Sequence, residues 1–359
     1  MGLIEDIKHV ATYFNFEGKI LNIVPHGKGH INKTFLIETT LKKYIFQVIN
    51  SDAFSDVEQL MNKIQYVTDY IKSRGGNTLE VIPTCFNDSY ILKDGYFYRM
   101  YNFVENTICY ERITDIESAR RTGKAFGELH VLLNGIEVSR LGDELGSFHN
   151  TQIRYKNFLN AVKSNLFRRA KNAKAEIDYI NDHKDKYSTI IDGIADGSIS
   201  FRVIHNDPKI NNILFDKKTN DVKCVIDLDT VMPGSVLYDF GDAIRSLFTG
   251  DSEDAVDPNE LKVIPEIYEA YLDGYYSKAK SFLNEKEISL LPFSAWLITT
   301  ELAMRFVEDY LSGDKYFNVT RPKQNLNRAR GQIALAKDIE RNMPLLEEIT
   351  RKIVNKKRS

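Results

Sequence analysis

The feature that most constrains this chain is the stretch His205-Asn206-Asp207-Pro208-Lys209-Ile210-Asn211-Asn212, followed soon after by Ile226-Asp227-Leu228-Asp229. An Asp, four residues, an Asn, and then a strand ending in Asp match the needs of phosphoryl transfer. That reaction requires one carboxylate to orient the attacking hydroxyl and oxygen ligands to hold magnesium against a triphosphate. Asp207 suits the first task, and Asn212 with Asp227 the second.

The local sequence supports this assignment. Asp207 falls in a short polar loop after an apolar strand, Phe201 to Ile204, and Pro208 prevents regular ladder bonding from continuing. A carboxylate held there can accept a hydrogen bond from a substrate hydroxyl and take its proton as the P–O bond forms. Alone, such an Asp would be read as a turn cap; Asn212 and Asp227 at matching offsets change that reading. Lys209, two residues on, can neutralise charge developing on a transferring phosphoryl group. Asp229 would share a face with Asp227 if the strand ran through both, which makes it a candidate metal or substrate contact, or else a surface acid. His205 is read as an anchor for the loop.

At 359 residues the chain is long enough for two lobes and can bury roughly 75% of its unfolded surface. Its formal net charge of −2 gives no electrostatic reason to expect nucleic acid. Cys85, Cys109 and Cys224 are too few and too widely spaced for a disulfide frame or zinc site, and read as reduced thiols. No apolar run reaches about 18 residues, and the N-terminal residues lack a signal-peptide n-region, so a cytoplasmic protein without a membrane span is expected. The basic tail from Arg351 to Arg358 reads as a solvated, frayed helix end.

Hydrophobic periodicity divides the chain in two. Residues 1–105 carry a short amphipathic helix and strands at Ile20 to Val24, His30 to Glu38 and Tyr44 to Ile49. A helix from about Asp56 to Ser73 follows, and then a hairpin with Asp94-Gly95 at its turn. Residues 106–359 are mainly helical, with one helix expected over Thr151 to about Lys171 and strand character only near 201–232. The turn Gly27-Lys28-Gly29, between the first two strands, can bring backbone amides close to phosphates.

These motifs, with Gly234-Ser235-Val236-Leu237-Tyr238-Asp239-Phe240-Gly241-Asp242, resemble the aminoglycoside-phosphotransferase-like kinases. Within that group the chain is similar to the bacterial N-acetylhexosamine 1-kinases over nearly its whole length. The shared-looking stretches are Gly29 to Asn32, Ile226 to Thr230, Met232 to Ser235, Leu291 to Ser294, and Met304 through Phe317. The resemblance implies an α+β, two-lobed protein-kinase-like fold, with a small β-rich N-lobe and a large, mainly helical C-lobe. It implies ATP bound between the lobes under the Gly27–Gly29 loop, with magnesium on Asn212 and Asp227. The γ-phosphoryl would go to the anomeric hydroxyl of N-acetylglucosamine or N-acetylgalactosamine. Asp207 would be the base, and His30, Asp229, Arg305 and Tyr316 sugar contacts.

Nucleotide contacts would come from Gly27, Gly29, Asn32 and Gln47, and from the hinge at Tyr101, Phe103 and Val104. Gln47 stands where protein kinases carry a phosphate-pairing lysine, which leaves that role to Lys33, Lys43 or Arg99. A monomer with small-molecule partners is expected. The rival readings are the same transfer to an aminoglycoside, choline or homoserine, and a pseudokinase that binds nucleotide without turnover.

Overall fold

The computed structural model describes residues 3–27, 31–54, 56–142, 149–250, 254 and 261–358. The chain forms two compact units. The first comprises residues 1–108 with 139–144 and 214–229, and the second comprises 109–138, 145–213 and 230–359. The hairpin that follows the His205–Asn212 loop belongs to the first unit.

In the first unit, β1 (Ile20–Pro25), β2 (Lys33–Thr39), β3 (Lys43–Ile49), β4 (Ile91–Lys93) and β5 (Tyr96–Asn102) form an antiparallel sheet ordered β1-β2-β3-β5-β4. Alternation along the strands gives this sheet two buried faces. Phe35, Ile37, Tyr44, Phe46, Tyr98 and Met100 pack with Ile7, Val10 and Phe14 on and just after α1 (Leu3–Ala11). Ile49 and Tyr101 pack with Leu60, Met61 and Ile64 of α2 (Val57–Ser73). Gln47 and Arg99, direct partners across β3 and β5, lie on the α2 face, because they alternate in step with Ile49 and Tyr101. Asp56 caps α2 by accepting from the Gln59 N–H at 2.9 Å. Asp94 and Gly95, both at positive φ, make the tight β4–β5 turn that their identity predicts.

A second small sheet orders β6 (Thr107–Ile108), β8 (Ile213–Asp216) and β9 (Val222–Val225). The strand expected to end at Asp227 is shorter. It stops at Val225 because Asp227 adopts φ +60°, and Leu228–Thr230 form a 3-10 turn, so Asp227 and Asp229 do not share a strand face.

The second unit is built on α3 (Ile116–Leu133), α7 (Val236–Thr249), α8 (Pro265–Ala279), α9 (Glu285–Ser312) and α10 (Gln324–Arg358), with a two-stranded pair, β7 (Arg202–Ile204) and β10 (Met232–Gly234). Helices α3 and α8 meet backbone to backbone. A Cβ at Gly274 would lie 2.0 Å from the Arg120 carbonyl oxygen, and one at Gly123 2.0 Å from that of Tyr271. Helix α9 is apolar and long enough to cross a membrane by composition, but 78% of its apolar window is buried inside the protein, as in a core helix. Its N-terminus carries an Asn284/Glu287 capping box, and Gly313 at φ +97° ends it.

Two helical expectations change. α4 (Thr151–Ser164) stops short of Lys171 because Asn165 turns left-handed at φ 39°. The basic tail is not frayed: α10 continues through Arg358, which pairs with Glu285, while Lys357 pairs with Asp273 at 2.7 Å.

Candidate active site

The loop after β7 is fixed by one buried acid. Asp239, in the first turn of α7, accepts the His205 N–H at 2.7 Å and the Asn206 N–H at 2.8 Å. It also meets His130 Nε2 at 2.9 Å, and His130 Nδ1 is 2.9 Å from the Tyr275 hydroxyl. Asp239 thus ties two consecutive loop amides to α3, α7 and α8. Asn206 tolerates φ +65° and donates to the Thr230 carbonyl at 2.9 Å; the Thr230 hydroxyl donates to the His205 carbonyl at 2.7 Å. His205 is fully buried, edge-on to Phe126, and an anchor in geometry as well as in sequence.

This frame presents Asp207 with its side chain 30% exposed. Lys209 Nζ lies 2.9 Å from Asp207 Oδ1, and Asn212 Nδ2 donates to Oδ2 at 2.9 Å and to the Asp207 carbonyl at 2.8 Å. Both donors orient the carboxylate. Because the Asn212 amide nitrogen faces Asp207, its oxygen is directed elsewhere, as a metal ligand requires. The other expected ligand, Asp227, belongs to the first unit. Amide and carboxylate oxygens are each ligand types that magnesium, a hard ion, accepts. Among the described residues, no cluster of three or more His, Cys, Asp or Glu forms a rival metal site.

In the first unit, the expected nucleotide residues have diverse surroundings. Gly27 is exposed at φ +73°, with open space where a Cβ would point. Gly29 and His30 lie outside the described residues. Tyr101 is buried against α2, and burial pushes its phenol well above the usual range. In the segment 101–104, the Asn102 N–H donates to the Glu80 carbonyl at 2.9 Å and the Phe103 N–H to the Lys43 carbonyl at 3.1 Å; the Val104 carbonyl accepts from the Thr107 hydroxyl at 2.6 Å.

Asp229 is neither a surface acid nor open to a ligand. It is 3% exposed, and its two oxygens lie 2.8 Å from Arg99 Nη1 and Nη2. Asn32 Nδ2 also donates to Asp229 Oδ2 at 2.8 Å, and Lys63 Nζ donates to its carbonyl oxygen at 3.0 Å. Gln47 accepts from Arg99 Nε at 2.9 Å and donates to the Thr34 hydroxyl at 2.9 Å. The structure therefore gathers Asn32, Gln47 and Asp229 around Arg99. Burial alone would raise the Asp229 carboxyl, but Arg99, Asn32 and Lys63 outweigh it and hold it below the usual range. Of the clamp candidates, Arg99 is engaged in this way, Lys43 pairs with Glu38 at 2.7 Å, and Lys33 is exposed.

Arg305 and Tyr316 come together in the second unit. Arg305 Nη2 donates to the Tyr316 hydroxyl at 3.3 Å, and the guanidinium also faces the Phe317 ring at 5.5 Å. Asp309, one helical turn after Arg305, holds the loop that carries Tyr316. It accepts the N–H groups of Lys315 at 2.8 Å, Tyr316 at 2.9 Å and Phe317 at 3.0 Å, with Asn325 Nδ2 at 2.8 Å. Arg154 lies within electrostatic reach of Arg305, and its guanidinium pKa is lowered first by burial and then by Arg305 itself. Buried Glu301 accepts from Thr151 at 2.6 Å and sits 2.9 Å from His149 Nδ1. Burial raises the Asp242 carboxyl, but Arg245, Lys209 and His149 together bring it below the usual range, so Asp242 lies within electrostatic reach of both Lys209 and His149.

Asp239, His130, Asp309 and Lys63 organise these surroundings without a sequence signal of their roles. The Tyr238-Asp239-Phe240-Gly241-Asp242 run marked Asp239 as part of a motif, but nothing in the sequence paired it with His130. Asp309 sits four residues after Arg305, on the same helical face.

A family model, APH, the phosphotransferase enzyme family, matches residues 22–280. Three solved structures are similar in fold across most of both chains. An aminoglycoside phosphotransferase from Alicyclobacillus acidocaldarius subsp. acidocaldarius DSM 446 is 14% identical, covers 96% of this chain and 95% of its own, and has a TM-score of 0.65. A microcompartment-associated aminopropanol kinase is 14% identical, with 96% and 98% covered and a TM-score of 0.61. A choline kinase from Cryptosporidium parvum Iowa II is 12% identical, with 98% and 99% covered and a TM-score of 0.60. Asp207, Asn212 and Asp227 fall inside the matched segment; Arg305 and Tyr316 fall beyond it.

Proposed function

The chain belongs to the APH phosphotransferase enzyme family, and we propose that within it the protein is an ATP-dependent sugar kinase acting on the anomeric (C1) hydroxyl of N-acetylglucosamine and N-acetylgalactosamine. Membership makes it a small-molecule phosphotransferase with an alcohol acceptor and a kinase-like two-lobed fold. The finer reading rests on the resemblance across Leu291–Phe317 and on the surroundings of Arg305.

The observation that carries it is a run of polar groups within the second unit: Asp207 with Lys209, Glu301 with His149, and Arg305 with Tyr316 are in contact, while Asp242 lies within electrostatic reach of Lys209 and His149, and Arg154 of Glu301 and Arg305. Two acids accompany the guanidiniums: Glu301, whose oxygens are engaged by His149 and Thr151, and Glu308, which lies within electrostatic reach of Arg154 and Arg305 and is offset by them. Two guanidiniums at the end of the run disfavour an acceptor with fixed positive charge. They offer hydrogen-bond forks to a neutral sugar and its acetamido oxygen, beside a phenol that can stack or donate.

In this reading Asp207 accepts the proton of the sugar hydroxyl as the new bond to the γ-phosphorus forms and the bond to the β-phosphate bridging oxygen breaks. Lys209 and Asn212 hold the carboxylate in the orientation that receives that proton. Asn212 and Asp227 would hold magnesium, which supplies neutralisation of phosphate charge when bound. Asp239 keeps the loop backbone fixed throughout, and a displacement of about 1 Å there can cost about 10²-fold in rate.

The test is a panel of N-acetylglucosamine, N-acetylgalactosamine, choline, homoserine and an aminoglycoside, each incubated with magnesium ATP and read by phosphorus NMR. An anomeric phosphate from the N-acetylhexosamines is expected. Faster turnover of a cationic acceptor, or an ester at another sugar carbon, refutes the assignment. Magnesium-dependent nucleotide binding with no ATP consumption on any acceptor favours the pseudokinase instead.

A further inference from the structure

Protein kinases pair a lysine on the third strand with an acid on the following helix. The first unit of this protein inverts that arrangement: the strand position holds neutral Gln47, and the helix supplies buried Lys63. Neither is the centre of the network. That centre is Asp229, gripped at its side chain by Arg99 from β5 and Asn32 from the segment before β2, and at its carbonyl by Lys63 from α2.

We propose that Asp229 is a positioning residue: through Arg99, Asn32 and Lys63 it fixes the left-handed turn that carries Asp227, and so sets how tightly magnesium nucleotide is held. The inference rests on the reading of Asp227 as a metal ligand.

Three observations support it. A buried ion pair is a weak source of stability and is better explained by the geometry it specifies. Here all three oxygens of one residue are engaged from three separate elements, which fixes main chain as well as side chain. Second, Asp227 holds φ +60°, a conformation that a non-glycine residue keeps only where its surroundings over-determine it. The grip on Asp229, two residues on, supplies that constraint. Third, Arg99 is within electrostatic reach of Asp227 as well as in contact with Asp229, so two cations, Arg99 and Lys63, face two acids. Gln47 completes the arrangement by directing Arg99 Nε, which explains why a strand residue without charge suffices.

The test uses the double variant Arg99→Met/Asp229→Leu, which removes the pair without stranding either charge, and Arg99→Lys, which keeps the charge but loses the two-pronged contact. Binding of a fluorescent ADP analogue is titrated with magnesium and again with EDTA, so the readout does not depend on the acceptor's identity. Circular dichroism melting establishes that each variant is folded. Loss of a partner that orients a metal ligand typically weakens metal binding by about 10–100-fold. The expected result is a weakening of this size in magnesium for the double variant, about threefold or more for Arg99→Lys, and EDTA values within about twofold of wild type. If the double variant does not fold, Arg99→Lys decides alone. A folded variant that binds magnesium nucleotide as wild type does overturns the proposal. So does an equal loss with and without magnesium, or a raised acceptor KM with nucleotide affinity intact.

Discussion

Asp309→Ala is the sharpest test of the acceptor side. Asp309 is 5% exposed and accepts four hydrogen bonds, three of them from consecutive amides of the loop that carries Tyr316. A hydrogen bond to a charged group is worth about 1.5–3 kcal/mol. The sum over four overstates the cost, because Lys315 and Tyr316 are exposed and their amides can turn to water. Asn325 also keeps a bond to Asp314 at 3.0 Å. A net loss of about 2–4 kcal/mol follows, which lowers Tm by roughly 3–5 °C in a chain of this size. With the loop released, Tyr316 loses its place beside Arg305. One or two lost acceptor contacts then raise the sugar KM about 10–100-fold, while nucleotide affinity stays within about twofold. Asp309→Asn keeps one carbonyl oxygen for two amides and should fall between. The assays are steady-state kinetics in each substrate and thermal melting. A variant that melts lower yet keeps its sugar KM, or loses nucleotide affinity to the same extent, would show that this loop does not shape the acceptor site.

Asp207→Asn should lower kcat by about 10²–10⁴ while nucleotide binding persists; a rate near wild type removes Asp207 as the base. Gly274→Ala puts a Cβ against the Arg120 carbonyl, and overpacking of this kind costs about 1–3 kcal/mol or more. It should depress both Tm and kcat, because α8 also carries Tyr275, the partner of His130, and an unchanged Tm refutes the close helix contact. Burial pushes the Cys109 thiol up to about 11 and the Cys224 thiol up to about 12, so little thiolate exists at neutral pH. Cys85 and Cys109 are both exposed residues, but the Cys109 thiol donates to the Asn211 carbonyl at 2.9 Å, so iodoacetamide at pH 7.5 should label Cys85 ahead of Cys109, which should gain reactivity as pH approaches 11. Rapid neutral labelling of Cys224 in folded protein, read by mass spectrometry, contradicts its burial.

Local signals were legible in the sequence where the chain itself sets the geometry. The Asp94-Gly95 turn, the Asp56 cap, the Gly313 stop and the spacing of Asp207 to Asn212 all depend on near neighbours. What sequence hid depends on distant partners. Asp229 looked like a strand-end acid because its grip comes from Arg99, Asn32 and Lys63, each more than a hundred residues away. The strand through Asp227 was overextended because the run Val225-Ile226-Asp227-Leu228 keeps a strand-like pattern that a single left-handed residue breaks. His130 reads as an ordinary helix-end histidine until α8 and Asp239 close around it.

The two acids that organise the second unit do separate jobs. Asp239 fixes the loop of Asp207 to helices within or bordering the family segment, and Asp309 fixes the loop of Tyr316 some thirty residues beyond it. Mutations that drift in one anchor's territory leave the other's hydrogen bonds untouched. If the Tyr316 loop shapes the acceptor site as proposed, a descendant of this gene can explore new acceptors there while the loop of Asp207 is inherited unaltered, and an engineer seeking altered substrate range has the same freedom.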